Sequence, residues 1–105
     1  MADTLTGKSY DVTGSLAAAL TAGGSETITL VNISVQNNHT AAVDLDVFID
    51  RTSGDDGYVV KSFSIPQGDT FELTGKYILN SSDALQMMGS VANKLDATLS
   101  YLVQT

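Results

Sequence analysis

Acidic side chains are the residues of this sequence with the clearest capacity for chemistry, because twelve Asp and Glu accompany a single His and no Cys. Asp44, Asp46 and Asp50 fall on alternate positions of AVDLDVFID. Residues two apart on a strand point to the same face, so these carboxylates could form a metal or acid–base cluster. Hard cations, however, need several oxygens that converge from one loop. We therefore interpret the three acids as the solvated side of a strand.

The loop DRTSGDDG offers a second possible metal site. Its oxygen donors are Asp50, Ser53, Asp55 and Asp56, interspersed with two glycines. The segment lacks the alternating oxygen spacing and the final Glu of an EF-hand loop. We predict a hairpin loop solvated by its own charges and no bound metal; a calcium site through Asp50, Asp55 and Asp56 is the alternative.

His39, in NNHT, is the residue on which a Ser-His-Asp mechanism would depend. The sequence offers no Gly-x-Ser-x-Gly elbow to accompany it. The glycine pair of TAGGSE leads into a predicted strand, whereas a phosphate cradle needs a helix N-terminus. We therefore predict no catalytic residues, no cofactor and no enzymatic activity.

Two further aspartates follow turn-forming residues. In IPQGDTFEL, Pro66 presets one turn position, Gly68 can supply a positive φ and Asp69 can bond neighbouring backbone amides. In NSSDAL, the polar run that ends at Asp83 has the same character. Both aspartates are predicted to be turn residues at corners between strands.

The elements that must position these residues show a period of two. Apolar residues alternate with polar ones in AVDLDVFID and KLDATLSYLV, and YVVKSFSI continues the pattern. Short strands separated by Gly, Pro, Asn, Asp or Ser are typical of a sandwich or barrel. The predicted inward-facing residues are Val43, Leu45, Val47, Ile49, Val59, Phe63, Ile65, Leu85, Met87, Leu95, Ala97, Leu99, Tyr101 and Val103.

Two interruptions of this period predict local irregularities. In ETITLVNISV the apolar residues before and after Val31 have opposite parity. One extra residue near Val31-Asn32 would restore a single buried face, so we predict a β-bulge there. Gly75, between FEL and KYIL, predicts a second kink or bulge.

The pattern as a whole predicts an all-β fold, a single antiparallel β-sandwich that is jelly-roll-like and has about eight short strands. Its 105 residues suit one domain. We expect residues 25–105 to form the sandwich. Residues 1–24 are less patterned, and we expect them to form an N-terminal arm or a first strand that could order on docking.

Charge restricts the partners of such a domain. The formal net charge of −7 argues against binding nucleic acid, which needs basic charge, and against an anionic membrane surface. The N-terminal sequence has no signal-peptide pattern. Phe48 falls on the acidic face of its strand, and buried aromatic residues contribute much contact energy at interfaces. We predict Phe48, Tyr58, Met87 and Met88 as interface residues.

Four segments in this order resemble small all-β virion proteins of tailed bacteriophages. ISVQNNHTAAVDLDVFI resembles their strand, Asn-containing turn and alternating strand, and FSIPQGDTFEL resembles their Gly-Asp-Thr corner. KYILNSSDALQM resembles a second corner in which Ser82 stands where those proteins usually have Gly, and LDATLSYL resembles their closing strand. Together the segments cover about three quarters of the chain.

The resemblance implies a structural protein of the virion, assembled in the bacterial host cytoplasm. Its first implication is a capsid decoration, or cement, protein that bridges capsomers, with the major capsid protein or other virion proteins as partners. We expect a homo-oligomer, with a trimer favoured. The alternatives are a neck, tail or fibre-base protein, or a carbohydrate-binding sandwich with DRTSGDDG as a calcium-assisted sugar loop.

Overall fold

A computed structural model describes residues 3–52 and 54–105. Eight strands occur in these two ranges, and their hydrogen-bonded order is β1-β8-β3-β6 in one sheet and β2-β7-β4-β5 in the other. All strand pairs are antiparallel. The strands are β1 Asp3–Val12, β2 Ala17–Thr21, β3 Thr27–Asn37, β4 Val43–Asp50, β5 Gly57–Ile65, β6 Thr70–Leu79, β7 Ala84–Gly89 and β8 Leu95–Gln104.

This strand order is that of a jelly roll, because the chain crosses from one sheet to the other at nearly every connection. Among the described strands, only the β4–β5 hairpin stays within one sheet. The predicted all-β, jelly-roll-like sandwich is confirmed. DRTSGDDG begins at the last residue of β4 and ends at the first residue of β5, so it spans that hairpin.

The core lies between the inner faces of the two sheets and follows the alternation of the sequence. Inward-facing residues of β3, β4, β7 and β8 are less than a tenth exposed, as predicted for most of them. Tyr101 and Val103, near the end of β8, pack against the core but are only half-buried. The buried residues of these strands include Ile28, Leu30, Ile33, Val35, Val43, Leu45, Val47, Ile49, Leu85, Met87, Leu95, Ala97 and Leu99.

The predicted bulge in β3 is confirmed. The pairing of β3 shifts between Leu30 and Asn32 against both neighbours, β6 and β8. Relative to β8, Val31 is the extra residue, and it is 46% exposed. Gly75, at a φ of 140°, and Lys76 lie opposite this irregularity on β6, so the second predicted bulge is also present. The two halves of β3 consequently present their apolar residues to the same core.

Residues 3–24 contain two strands where we expected an arm or one strand. β1 joins one sheet at its edge and β2 joins the other. Val12, Ala19, Leu20 and Ala22 of this segment belong to the buried core. Met1 and Ala2, which the expected arm included, lie outside the described residues.

Phe63 departs from the simple pattern of β5. It lies opposite the inward-facing Leu45 but is 45% exposed. Its ring contacts Phe71 of β6, with the ring centroids 4.7 Å apart. Because β5 and β6 are the last strands of their sheets on the same side, Phe63 covers the open margin of the core.

Asn37 is a buried polar residue that holds one end of the sandwich together. Its side-chain nitrogen donates hydrogen bonds to the carbonyl oxygens of Ala41, at 3.0 Å, and Ile65, at 2.8 Å. Its side-chain oxygen accepts a bond from the backbone N–H of His39 at 2.8 Å. Buried backbone groups need partners, so Asn37 fixes the β3–β4 loop against the corner after β5.

In the described part of the chain, no helix could span a membrane.

Replacement of Asn37 by Ala should lower the free energy of unfolding by roughly 2–4 kcal/mol, because buried backbone groups would lose their partners. Urea unfolding followed by circular dichroism measures the change. Asn38→Ala is the matched control, since Asn38 is exposed and bonds the exposed Asp96. We expect the control to lose less than about 1 kcal/mol; equal losses in the two variants would contradict the role of Asn37.

Candidate interaction surface

Three of the four predicted interface residues lie on the outer face of the sheet β2-β7-β4-β5. Phe48 of β4 lies opposite Tyr58 of β5. Two residues earlier on β4, Asp46 lies opposite Met88 of β7. Lys61 of β5 reaches over this group from the edge of the sheet. We call Asp46, Phe48, Tyr58, Lys61 and Met88 the aromatic–acid patch.

The two rings of the patch are held by each other and by a cation. Phe48 and Tyr58 pack edge to face, with centroids 4.9 Å apart and ring planes 63° apart. Nζ of Lys61 lies 4.5 Å from the centroid of the Tyr58 ring. Edge-to-face pairs contribute about 0.5–1.5 kcal/mol, and an exposed cation–π contact contributes about 0.5–1 kcal/mol. Tyr58 is therefore a preoriented ring that is still 49% exposed.

Asp46 lies beneath the patch and is only 4% exposed. The sequence placed it on the solvated face of β4, and this expectation was wrong about its exposure. β5 inserts an extra residue opposite Asp46, which brings the chain across the carboxylate. The backbone N–H of Ser62, at a φ of 51°, donates to Oδ1 of Asp46 at 2.6 Å. Oδ2 lies 3.6 Å from Nζ of Lys61.

The patch is suited to contact with another macromolecule. It combines an exposed, amphipathic aromatic ring with a thioether and with a carboxylate whose charge is already paired. Rings fixed before binding lose little conformational entropy on binding, and Tyr is enriched at the centres of interfaces. The arrangement therefore favours protein contact.

Met87 is not part of this surface, although it was predicted as an interface residue. It is fully buried in the core because it lies opposite the inward-facing Val47 in the antiparallel pairing of β7 with β4. Met88 has the opposite orientation and is half-buried. Only one of the two adjacent methionines can reach a partner.

The acidic hairpin loop does not assemble a metal site within the described residues. Asp50, Asp55 and Asp56 are exposed, and Oδ1 of Asp56 accepts a 2.7 Å hydrogen bond from the backbone N–H of Arg51. Ser53, the remaining donor proposed for calcium, lies outside the described residues. Across residues 3–52 and 54–105, no three His, Cys, Asp or Glu side chains are grouped to hold an ion.

The two corner aspartates differ in their surroundings. Asp69 is exposed, and its backbone N–H donates to the carbonyl of Pro66 at 3.1 Å, as expected for a turn. Asp83 closes the second turn through a 2.9 Å bond from its N–H to the carbonyl of Asn80. The side chain of Asp83, however, is 2% exposed. Ser82, which stands at the glycine position of the resemblance, has a φ of 69°.

The Asp83 carboxylate joins the β4–β5 loop to the β6–β7 turn. Oδ1 accepts the N–H of Thr52 at 2.9 Å, and Oδ2 accepts the N–H of Asn80 at 3.0 Å. Nη1 of Arg51 lies 2.9 Å from Oδ2 and also donates to the carbonyl of Ile78 at 2.6 Å. The sequence predicted the turn but not Arg51 and Thr52, which lie more than thirty residues away along the chain.

The pKa of Asp83 is lowered by this arrangement. Burial by itself would raise the pKa, because it disfavours the charged carboxylate. The hydrogen bonds from Thr52, Arg51 and Asn80, with the positive charge of Arg51, outweigh that effect and lower the pKa. The ionised form is therefore part of the folded structure.

Comparison with known proteins finds similarity in structure to viral particle proteins but no match in sequence. No protein-family model matches the sequence, and no curated protein matches it. The chain is similar in structure to the VP2 subviral particle of infectious bursal disease virus, with a TM-score of 0.60 and 11% identity over 96% of this chain and 32% of VP2. The structure of the Gx strain of that virus gives a TM-score of 0.56 and 12% identity, over 97% of this chain and 30% of that one.

At these identities the similarity establishes the fold alone. The chain has the β-sandwich fold found in a viral particle protein, and it spans about a third of the length of that protein. A xylanase 10B of Clostridium thermocellum, in its CBM22-1–GH10 structure with xylohexaose, is similar at a TM-score of 0.43 and 14% identity, over 78% of this chain and 17% of that one. A TM-score this low supports no argument about carbohydrate binding.

Asp83→Asn should lower the free energy of unfolding by roughly 2–4 kcal/mol near neutral pH, because a buried acceptor of charged and backbone donors is replaced by an amide. Urea unfolding measures the loss. Asp69→Asn is the matched control at the exposed corner, and it should stay within about 0.5 kcal/mol of the wild type. A loss for Asp83→Asn no larger than that of the control would contradict the assignment.

The same variants test the lowered pKa of Asp83. Because folding lowers this pKa below its ordinary value of 3.8, the ionised carboxylate stabilises the fold at higher pH. That contribution is lost as the pH falls through the folded-state pKa. The difference in stability between wild type and Asp83→Asn should be constant from about pH 7 to about pH 5 and should shrink as the pH falls below the ordinary pKa of 3.8. A difference that stays constant down to about pH 2 would contradict the pKa shift.

Proposed function

We propose that this chain is a non-enzymatic structural protein of a bacteriophage virion, and that it acts as a capsid decoration protein that bridges capsomers. The observation that supports the proposal most is the jelly-roll sandwich, which is similar to the VP2 subviral particle over 96% of this chain. The resemblance of its corner and strand segments to virion proteins of tailed bacteriophages agrees with it.

The aromatic–acid patch is the surface that we assign to the major capsid protein. Tyr58 supplies the exposed ring, and Phe48 and Lys61 hold it in place. Truncation of a central interface aromatic commonly costs 2 kcal/mol or more. Because the chain carries a net charge of −7, a neutral or basic partner surface is favoured over an acidic one.

A capsid decoration protein acts through many identical copies on one particle. Each copy contributes one set of contacts, and a symmetric lattice multiplies that contribution over many identical positions. We propose that identical copies also associate with one another on the particle. Virion location, capsomer bridging and oligomerisation together make up the proposed function.

The proposal predicts that purified virions contain this chain and that an antibody against it labels the head of intact particles in electron microscopy. If the label is confined to the neck, tail or fibres, the chain is a structural protein at that position and is not a capsid decoration protein. Virions that contain no copies of the chain by mass spectrometry would refute the proposal.

Tyr58→Ala should weaken binding to particles assembled without the chain by at least about tenfold, the equivalent of roughly 1.4 kcal/mol. Cosedimentation of labelled protein with those particles measures the affinity. Ile78→Ala is the control, because Ile78 has a similar exposure of 40% but lies in the other sheet. Equal affinities for wild type and Tyr58→Ala would exclude the aromatic–acid patch as the capsid contact.

A further inference from the structure

The strands at the margins of the described sheets differ in how well they are protected against pairing with another chain. β2 has five residues and a register shift at Ala19. β5 has two register shifts, and β6 contains the bulge at Gly75. Short strands and bulges are the usual protection of a sheet edge. β1 has neither, because its ten residues pair with β8 without any shift.

The side of β1 that faces away from β8 is open. Along the described residues, β1 pairs with β8 alone, so every second residue directs its backbone N–H and C=O to the free edge. Most of its side chains are exposed as well. The charged side chains of this strand are Asp3, Lys8 and Asp11, so the stretch from Thr4 to Gly7 has no charge to protect the edge.

A row of three large apolar residues and one threonine crosses the outer face of the same sheet and ends at this edge. Cross-strand pairing aligns Leu5 of β1 with Leu102 of β8, then Thr29 of β3, then Ile78 of β6. Leu5 is 73% exposed, the highest value among the large apolar side chains of the described residues. The most exposed apolar residue and the unprotected edge therefore coincide.

We propose that β1 of two copies pairs antiparallel about a two-fold axis at Thr6, which joins the β1-β8-β3-β6 sheets of both copies into one continuous sheet. The inference rests on the proposed structural role, and it names the surface through which identical copies associate. An extended strand of another chain can form hydrogen bonds with the free backbone N–H and C=O groups of β1. The order of residues in β1 favours a second copy of the same strand, paired in one register.

The symmetry restricts the registers. A two-fold axis perpendicular to the sheet keeps each outer face on the same side, so paired residues must have the same parity. Centring the axis on Gly7 would place Asp3 opposite Asp11, and centring it on Lys8 would place two Lys8 residues opposite each other. Like charges directly opposite are destabilising. Centring on Ser9 leaves Leu5 outside the pairing. Centring on Leu5 pairs only residues 3–7 of β1, whereas centring on Thr6 pairs residues 3–9.

Centring the axis on Thr6 avoids these conflicts. Leu5 then lies opposite Gly7 of the second copy, Asp3 lies opposite Ser9, and Lys8 lies opposite Thr4. Gly7 presents no side chain to the leucine, so Leu5 can lie over the backbone of the second copy beside the Leu5 of that copy, its diagonal neighbour. The register therefore covers the most exposed apolar side chain without opposing two charges of one sign.

Such a contact closes after two copies, because the same strand is used by both. It favours a dimer as the unit in solution, where the resemblance favoured a trimer. The aromatic–acid patch lies on the other sheet and stays free in the dimer. One dimer would consequently present two patches, which is the arrangement that bridging of two capsomers requires.

Sedimentation velocity from low to high micromolar concentration tests the inference. The wild-type chain should approach twice its mass of 11.0 kDa. Thr4→Lys should dimerise at least about tenfold more weakly with an unchanged melting temperature, because Thr4 is exposed and the new cation would lie opposite Lys8 of the other copy, twice in each dimer. Thr74→Lys, the same change on β6, should dimerise like the wild type. A monomeric wild type, or a Thr4→Lys chain that dimerises as tightly as the wild type, would overturn the inference.

Disulfide crosslinking tests the register. Under oxidation, Thr6→Cys should give a covalent dimer, because directly opposite residues bring their Cβ atoms within disulfide range. Ser9→Cys, on the same strand, should not. Crosslinking of Ser9→Cys in preference to Thr6→Cys would overturn the proposed pairing.

The outcomes also separate this inference from the proposed function. A wild-type chain that is monomeric in solution but present in virions overturns the β1 pairing and leaves the virion role intact. A chain that dimerises through β1 but is absent from virions supports the pairing and refutes the virion role.

Discussion

The fold depends on one geometric constraint in β3. This strand lies between β8 and β6, and its apolar residues must face the core on both sides of Val31. A strand that alternates strictly would turn one half of them to the outer face. The extra residue at Val31, matched by Gly75 and Lys76 on β6, restores the alignment. Leu30 and Ile33 are consequently both buried.

Two buried polar residues hold the opposite ends of the sandwich. Asn37 joins the β3–β4 loop to the corner after β5, and Asp83 joins the β4–β5 loop to the β6–β7 turn. Crossing connections leave backbone groups that no neighbouring strand can pair, and these side chains provide the partners. Neither of these two links involves the outer faces of the sheets. We propose that those faces make the contacts with other proteins.

The sequence predicted the features that follow from local rules. The period of two gave the inner face of β4, and the change of parity in β3 located the bulge at Val31. It did not show the burial of Asp46, because that depends on an insertion in β5 that leaves no clear mark on the alternation. Nor did it reveal Arg51 as the partner of Asp83, since their contact joins distant segments. Met87 is a different case, because the alternation placed it correctly in the core and only its chemistry suggested a surface role.

The free energy of unfolding of a variant that lacks Val31 tests the constraint on β3 most directly. Without Val31, the buried residues on either side of it fall on alternate positions of a regular strand, so they can all still face the core, and β3 can pair with β8 without a shift. We therefore expect this variant to unfold cooperatively and to lose less than about 2 kcal/mol, whereas deletion of Thr29 should turn Ile28 outward and lose several kcal/mol. A loss for the Val31 deletion as large as the loss for the Thr29 deletion would contradict the account.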